Sequence, residues 1–359
     1  MKILINTPFI TSPAGVSNHY LGLKPYFSHN VIYNQYYTRY YVRKITRSKW
    51  LQHFVLPLAY LFNYVKFIAL IIIYKKPIVL LNPSFGKTAL KRDALFLKIA
   101  KLFNCKVAIF IHGWDKTYLS QVFDKKESFS NAWFKADAFF VLAVEFKNYL
   151  QQLNIKAPIH LTTTKVNDQL VENITHKNIT IITTILFLAR VEKAKGIFTA
   201  IDSFEILNKK HPVLKMQIVG RGDALDKAKS YTSEKQNKNI HFTGALSGEE
   251  LKKEFQKADV YILPTTHGEG MPTSVLEAMA FGLPIITRPV GGLVDFFEND
   301  KMGYLIESLK PEDYAEKIDL LINDLDKTNK IANYNMQYAQ EHFMASKVAF
   351  ELETILADL

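Results

Sequence analysis

His267-Gly268-Glu269-Gly270-Met271-Pro272-Thr273-Ser274-Val275-Leu276-Glu277-Ala278-Met279-Ala280-Phe281-Gly282-Leu283-Pro284 is the most informative stretch of the chain. It follows a β-branched run, Val260 to Leu263, closed by Pro264. Pro272 suits the first turn of a helix, and Gly282 and Pro284 stop it. The turn through Gly270 and Met271 therefore delivers the chain to a helix N-terminus. There the unpaired N–H groups of Thr273 and Ser274 and the positive dipole end suit a diphosphate. Glu277 lies four residues beyond Thr273 on the same helical face, placed to accept hydrogen bonds from two ribose hydroxyls. Glu269, in the loop before the helix, is placed for sugar hydroxyls. Either glutamate alone reads as an ordinary loop or helix-surface charge; the pair around a glycine-rich turn favours a site.

Working outward, Phe187-Leu188-Ala189-Arg190-Val191-Glu192-Lys193-Ala194-Lys195-Gly196 is a second strand end leading into a helix. Alone, Arg190 and Lys195 would be surface charges; after a strand and before a helix they form a cationic strand-end site. Short apolar runs at Lys2 to Asn6, Ile78 to Leu81, Val107 to Ile111 and Ala138 to Val141 alternate with amphipathic stretches. The pattern restarts after a polar stretch from Thr162 to Asn178, with Ile179 to Ala189, Leu214 to Val219, Ile240 to Phe242, Val260 to Leu263 and Pro284 to Thr287. Such alternation predicts parallel sheets covered on both faces. The expected fold is α/β, with two Rossmann-like doubly wound domains facing across a cleft. The first spans 1–168 and regains the helical segment 340–359; the second spans 178–339. Ser247 with Glu250 reads as a capping box opening one helix. Asp324-Leu325-Asp326, an Asp-x-Asp in a polar helical stretch, reads as a solvated face rather than a metal site.

Ligands of open α/β sheets bind beyond the carboxyl ends of strands. By that rule Asn82, Ser84 and Lys87, after the Ile78 strand, fall on the acceptor side, followed by Lys91-Arg92-Asp93. A helix start with Ser and Lys is the plainer alternative there.

The Glu269-x7-Glu277 spacing resembles the signature of family-four retaining glycosyltransferases of GT-B fold, also called glycosyl transferases group 1. The strand-end segment is similar too, with Arg190 and Lys195 matching the Arg and Lys that hold the donor diphosphate. The resemblance implies transfer of a sugar, with retention, from a nucleotide-diphosphate sugar to a glycan or lipid-linked acceptor. It implies a front-face displacement that needs no metal and no cofactor. A UDP-sugar is the first expectation, with GDP- or ADP-sugars next. Fixed cations and N–H dipoles aimed at a departing diphosphate stabilise the transition state more than the ground state. Glu269 is then a hydroxyl binder at the reacting sugar, not a glycosidase-type acid or nucleophile. Pro13-Ala14-Gly15-Val16-Ser17-Asn18-His19 resembles the family's glycine-rich loop, with Gly15 approaching the donor phosphate and Ala14 departing from the pattern. His112, in Ile111-His112-Gly113-Trp114-Asp115, resembles its cleft histidine. Gly220, Arg221 and Leu246, in Val219-Gly220-Arg221-Gly222 and Phe242-Thr243-Gly244-Ala245-Leu246, resemble its nucleobase-side loops. Gly291-Gly292 is a further family-like feature.

The single cysteine, Cys105, excludes an intrachain disulfide framework, and the N-terminus MKILINTPFI lacks the apolar core of a signal peptide. A cytoplasmic chain is expected, peripheral on the inner membrane face. The net charge of +11 is uneven: residues 1–92 hold thirteen Lys and Arg and no Asp or Glu, leaving 32 basic against 34 acidic residues elsewhere. Arg39, Arg43, Lys44, Arg47 and Lys49 interleave with tyrosines and Trp50 ahead of an apolar stretch, Leu51 to Tyr74. Lys66, Asn63, His53 and Pro57 argue against a spanning helix; a helix packed on the first sheet and attachment to an anionic membrane surface are the two readings. Nothing else reads as a nucleic-acid module, so no nucleic-acid partner is expected. A non-catalytic GT-B subunit binding a glycan or partner, and a nucleotide-sugar epimerase, are the competing functions.

Overall fold

The computed structural model describes residues 2–9, 15–38, 41–43, 46, 48–124, 129–175 and 178–359. Pro13, Ala14, Arg39, Lys44 and Arg47 lie outside the described residues, as does the side chain of Lys49.

The chain divides into two compact units, Met1–Thr164 with Ala345–Leu359, and Lys165–Met344. The first unit is built on a six-stranded parallel sheet of order β2-β1-β3-β4-β5-β6, with strands β1 (Ile3–Pro8), β2 (Val31–Tyr36), β3 (Ile78–Leu81), β4 (Val107–Ile111), β5 (Ala138–Val141) and β6 (Ile159–Leu161). The central strands β3, β4 and β5 read IVLL, VAIFI and AFFV and are buried throughout, as strands covered on both faces must be. Its helices are α1 (Gly15–Leu23), α2 (Lys49–Ile73), α3 (Lys87–Leu102), α4 (Lys116–Phe123) and α5 (Val144–Gln152). The C-terminal helix α12 (Ala345–Ala357) packs on α1, and Glu353 accepts from the backbone N–H of Ser28 at 2.9 Å.

The second unit has the parallel order β12-β11-β10-β7-β8-β9, formed by β7 (Thr184–Leu188), β8 (Lys215–Val219), β9 (Ile240–Gly244), β10 (Val260–Leu263), β11 (Ile285–Thr287) and β12 (Gly303–Leu305). Helices α6 (Ile197–Lys210), α7 (Leu225–Glu234), α8 (Gly248–Lys257), α9 (Thr273–Ala280), α10 (Pro311–Asn323) and α11 (Leu325–His342) follow the strands. Strand order reverses between β7 and β10, and that reversal opens the crevice in which doubly wound sheets bind ligands. Buried Asp259 sets the start of this pair. It accepts from the backbone N–H groups of Thr183 at 2.8 Å and Thr184 at 3.0 Å, so β7 and β10 enter the sheet in register.

Two local expectations are corrected. Ser247 stands at the N-cap of α8, but its side chain makes no capping bond. The boundary of the second unit falls at Lys165, which brings most of the polar Thr162 to Asn178 stretch into that unit. Asp324, from the Asp-x-Asp, caps α11 by accepting from the N–H of Lys327 at 2.9 Å. Among the described residues no group of three or more His, Cys, Asp or Glu is placed to hold a metal ion.

Candidate functional site

In the second unit the loops after β7 and β10 are tied together through one carbonyl. Ala194 O accepts from the N–H of Thr266 at 2.8 Å and of His267 at 3.0 Å, and from the hydroxyls of Thr265 and Thr266 at 3.3 and 3.2 Å. Gly196 closes the β7 turn with φ +80°, and a Cβ there would meet Pro264 O at 2.1 Å. Only glycine lets this turn seat on the end of β10. Gly291, φ +51°, plays the same part below the next loop. A Cβ would meet Gly270 O at 2.1 Å and Glu269 O at 2.4 Å, and the neighbouring Gly292 N–H donates to Gly270 O at 2.8 Å.

This scaffold brings Lys195 and Glu269 into an ion pair, with side chains only 10% and 14% exposed. Thr265, fully buried, has its hydroxyl 3.4 Å from the same carboxylate oxygen, so its one proton is shared between that oxygen and Ala194 O. The two residues read from separate motifs are therefore neighbours. Arg190 is not part of that pair; its exposed guanidinium binds Glu192 at 2.6 Å, at the outer edge of the β7 turn.

Beyond Glu269 the chain passes through buried Gly270 and Met271 to α9, with Pro272 at the N-cap. Among the described residues the N–H groups of Thr273 and Ser274 have no backbone acceptor, while Val275 N–H already bonds Pro272 O at 3.0 Å. Two unsatisfied donors thus face outward at the positive end of the helix. From beneath, Tyr261 fixes Ser274, its hydroxyl donating to Leu188 O at 3.0 Å and accepting from the serine Oγ at 2.7 Å.

Glu277 lies one turn further along α9. It keeps a partly accessible surface, yet protein packs closely enough around its carboxyl that burial pushes it up to about 7, against which Lys165 pulls it down. Lys165 is 5% exposed. Burial lowers its pKa and the Glu277 carboxylate raises it again, so each stabilises the charged form of the other. No motif pointed to Lys165. It belongs to the polar stretch between the two sets of strands, and only the fold carries it to Glu277.

The nucleobase-side candidates form a linked pair of loops. Val191 N–H donates to Arg221 O at 3.1 Å, Gly220 N–H to Gly244 O at 2.8 Å, and a Cβ at Gly220 would meet Ala189 O at 1.9 Å. The Arg221 side chain is exposed and Leu246 half-buried.

In the first unit His112, at the end of β4, stacks on Phe110 at 3.8 Å. Asn82 Oδ1 accepts from Tyr20 Oη at 2.5 Å and faces His112 Nε2 at 3.1 Å, while Asn82 Nδ2 donates to Asn6 O and Leu80 O. An amide oxygen only accepts, so Nε2 carries the proton and Nδ1 is left as an acceptor. Burial lowers the imidazole to about 3, which keeps it neutral at physiological pH. Asn82 was expected on the acceptor side; it is instead 2% exposed and spent on these four partners, holding His112 in place. Ser84 and Lys87 are exposed at the start of α3, whereas Arg92 turns inward onto Asp93, at 2.9 and 2.6 Å. Gly15 opens α1; a Cβ there would meet nothing within 4 Å, so no packing in this chain calls for glycine.

The chain is 27% identical over 186 residues to spore coat protein SA of Bacillus subtilis, covering 48% of each chain. It is 28% identical over 176 residues to the capsular polysaccharide biosynthesis glycosyltransferase CapM of Staphylococcus aureus, covering 47% of this chain and 44% of that one. The chain thus spans about half the length of the curated relatives it matches. The crystal structure of Anabaena Alr3699/HepE in complex with UDP superposes over 100% of both chains with a TM-score of 0.71 at 15% identity. At that identity the likeness shows the fold, which is GT-B. The model of the family glycosyl transferases group 1 matches residues 177–338 of the chain.

Proposed function

We propose that the chain is a retaining glycosyltransferase that moves a sugar from a nucleotide-diphosphate sugar, a UDP-sugar foremost, to a glycan or lipid-linked acceptor in cell-surface polysaccharide or glycolipid synthesis. The observation that carries this reading is the arrangement at the β7/β10 reversal. The segment from Glu269 to Glu277 carries a carboxylate paired with Lys195, a helix N-terminus with two N–H groups that lack a backbone acceptor, and a carboxylate coupled to Lys165. CapM, similar to about half of the chain, is named for capsular polysaccharide biosynthesis, and HepE, similar in fold, was crystallised with UDP.

In this reading Glu277 accepts from the ribose hydroxyls, the Thr273 and Ser274 N–H groups and Lys195 hold the diphosphate, and Glu269 bonds the sugar. Arg190 reaches the diphosphate by leaving Glu192. The bond from the anomeric carbon to the diphosphate breaks on the face where the acceptor oxygen bonds. The acceptor's proton passes to the departing phosphate oxygen, so no protein nucleophile and no metal takes part. Lys195 and the helix end offset the charge that builds on the diphosphate. Neutral His112 presents Nδ1 to a sugar or acceptor hydroxyl. A cytoplasmic location, with the basic N-terminal quarter drawn to anionic headgroups, suits a membrane-presented acceptor.

Donor consumption measured with and without acceptor separates this reading from its rivals. Acceptor-dependent release of nucleoside diphosphate supports it. Binding without turnover indicates a non-catalytic subunit, and interconversion of the free donor indicates an epimerase.

A further inference from the structure

The longest helix of the first unit, α2, buries one side and leaves the other bare. Its inner side is stitched to the unit by polar as well as apolar contacts. Asn63 Nδ2 donates to Tyr37 O at 3.0 Å and its Oδ1 accepts from Tyr37 N–H at 2.9 Å, Lys66 Nζ donates to Gln35 O at 3.2 Å, and Phe67 packs edge-on against Phe96 at 4.9 Å. The outer side is exposed and apolar along its length. Leu51, Phe54, Leu58, Leu61, Val65 and Ile72 recur at the three-and-four spacing of one helical stripe, and Leu58 is 65% exposed. From Leu51 to Ile72 the stripe runs for about 30 Å of the helix. Isolated exposed leucines are ordinary, but a continuous stripe of this length marks an interaction surface.

We infer that the outer face of α2 inserts in the plane of an anionic lipid bilayer, lying on it rather than crossing it. Length and composition would allow a span. The Asn63 and Lys66 bonds to the backbone beside β2 forbid one, because a spanning helix would give them up. Charge selects lipid over a protein partner. Residues 1–92 contain no Asp or Glu, Arg43 is exposed ahead of the helix, and Lys75 and Lys76 are exposed just after it. Cations thus flank both ends of the apolar stripe, as an interfacial helix on anionic lipid requires. Trp50, 68% exposed and packed edge-on to Phe54 at 4.9 Å, stands at one end, where an indole sits between headgroups and acyl chains. This deepens the membrane-presented acceptor reading, on which its biological purpose rests. Insertion differs from headgroup attraction alone in that high salt does not reverse it.

The test is flotation of the full chain, without donor, on vesicles of phosphatidylcholine with about one-third phosphatidylglycerol, at low salt and at about 0.5 M salt, where the Debye length is a few ångströms. Insertion predicts binding that largely survives high salt and a blue shift of Trp50 emission, the other two tryptophans, Trp114 and Trp133, being buried already. Leu58→Glu with Leu61→Glu should lower partitioning at least tenfold. Both positions are solvent-exposed, so the variant should keep its thermal midpoint and donor binding. Binding fully reversed by salt and indifferent to the variant would overturn the inference in favour of electrostatics alone. Absence of vesicle binding together with self-association abolished by the variant would overturn it in favour of a second copy covering the stripe. Failure of donor turnover with intact vesicle binding would count against the proposed function and leave this inference standing.

Discussion

Glu277 should make donor affinity depend on pH through the neutral range. Its carboxyl is raised from the ordinary 4.5 to about 7 by burial, with Lys165 working in the opposite direction. Two ribose hydroxyls are best held by an ionised carboxylate, whose oxygens accept only. With a pKa of about 7, roughly nine-tenths of the sites are ionised at pH 8 and roughly one-tenth at pH 6. Affinity for a UDP-sugar should therefore fall about tenfold over that interval, or about 1.4 kcal/mol. The esterified diphosphate of a nucleotide sugar does not titrate here, so calorimetric titration with UDP-sugar, not UDP, isolates the protein's proton. Glu277→Gln should flatten the profile at or below the low-pH affinity. Lys165→Met should move the midpoint upward, because it removes the cation that favours the carboxylate. Stability follows the same proton. A carboxyl with a raised folded pKa contributes stability that is fully present below about 4.5 and lost as pH rises through about 7, at most about 3 kcal/mol. Glu277→Gln should accordingly gain thermal stability relative to wild type at pH 8 and not at pH 4. A pH-independent wild-type affinity between pH 6 and 8, or a Gln variant with the wild-type profile, would show that Glu277 does not hold the ribose as a carboxylate.

Glu269→Gln should lower turnover by more than an order of magnitude while leaving bare nucleoside diphosphate binding unchanged or tighter, since it removes the carboxylate paired with Lys195; parallel losses in the two measurements would place Glu269 on the nucleotide. Lys195→Met should weaken nucleoside diphosphate binding by about 1.5–3 kcal/mol, the range for a charged hydrogen bond, and should depress the thermal midpoint by leaving Glu269 unpaired; calorimetry and a melting curve check both. His112→Ala should reduce turnover without adding or removing a titration between pH 5 and 9, because the imidazole is already neutral there; a rate profile in which a limb disappears would show that it titrates in the cycle.

What the sequence disclosed depended on burial. β3, β4 and β5 match their expected bounds, being apolar runs buried on both faces. The edge strands β2, β6 and β12 were not anticipated, because VIYNQY, IHL and GYL are short or mixed in polarity and gain little from the sheet's interior. Glu269 and Lys195 were legible as members of two motifs, but their pairing is set by the Ala194 carbonyl and by Gly196 seated on Pro264, which no spacing reveals. Arg190 and Lys195 look equivalent in the segment, yet one is on the rim with Glu192 and the other is nearly enclosed. Lys165 was invisible, since its partner is more than a hundred residues away and nothing local distinguishes it from a solvated lysine. In α2 the polar interruptions were visible in the sequence, but not that Asn63 and Lys66 would turn inward onto backbone, which only the fold reveals.

A nucleotide-sugar site at the β7/β10 reversal of the second unit can be checked by calorimetric titration of the full chain and its Glu277→Ala and Lys195→Ala variants with UDP-, GDP- and ADP-sugars. One donor class should bind the wild-type chain, and each substitution should weaken that binding by about tenfold or more, as loss of a charged hydrogen bond implies. A donor that binds with the same affinity to wild type and to both variants would contradict such a site.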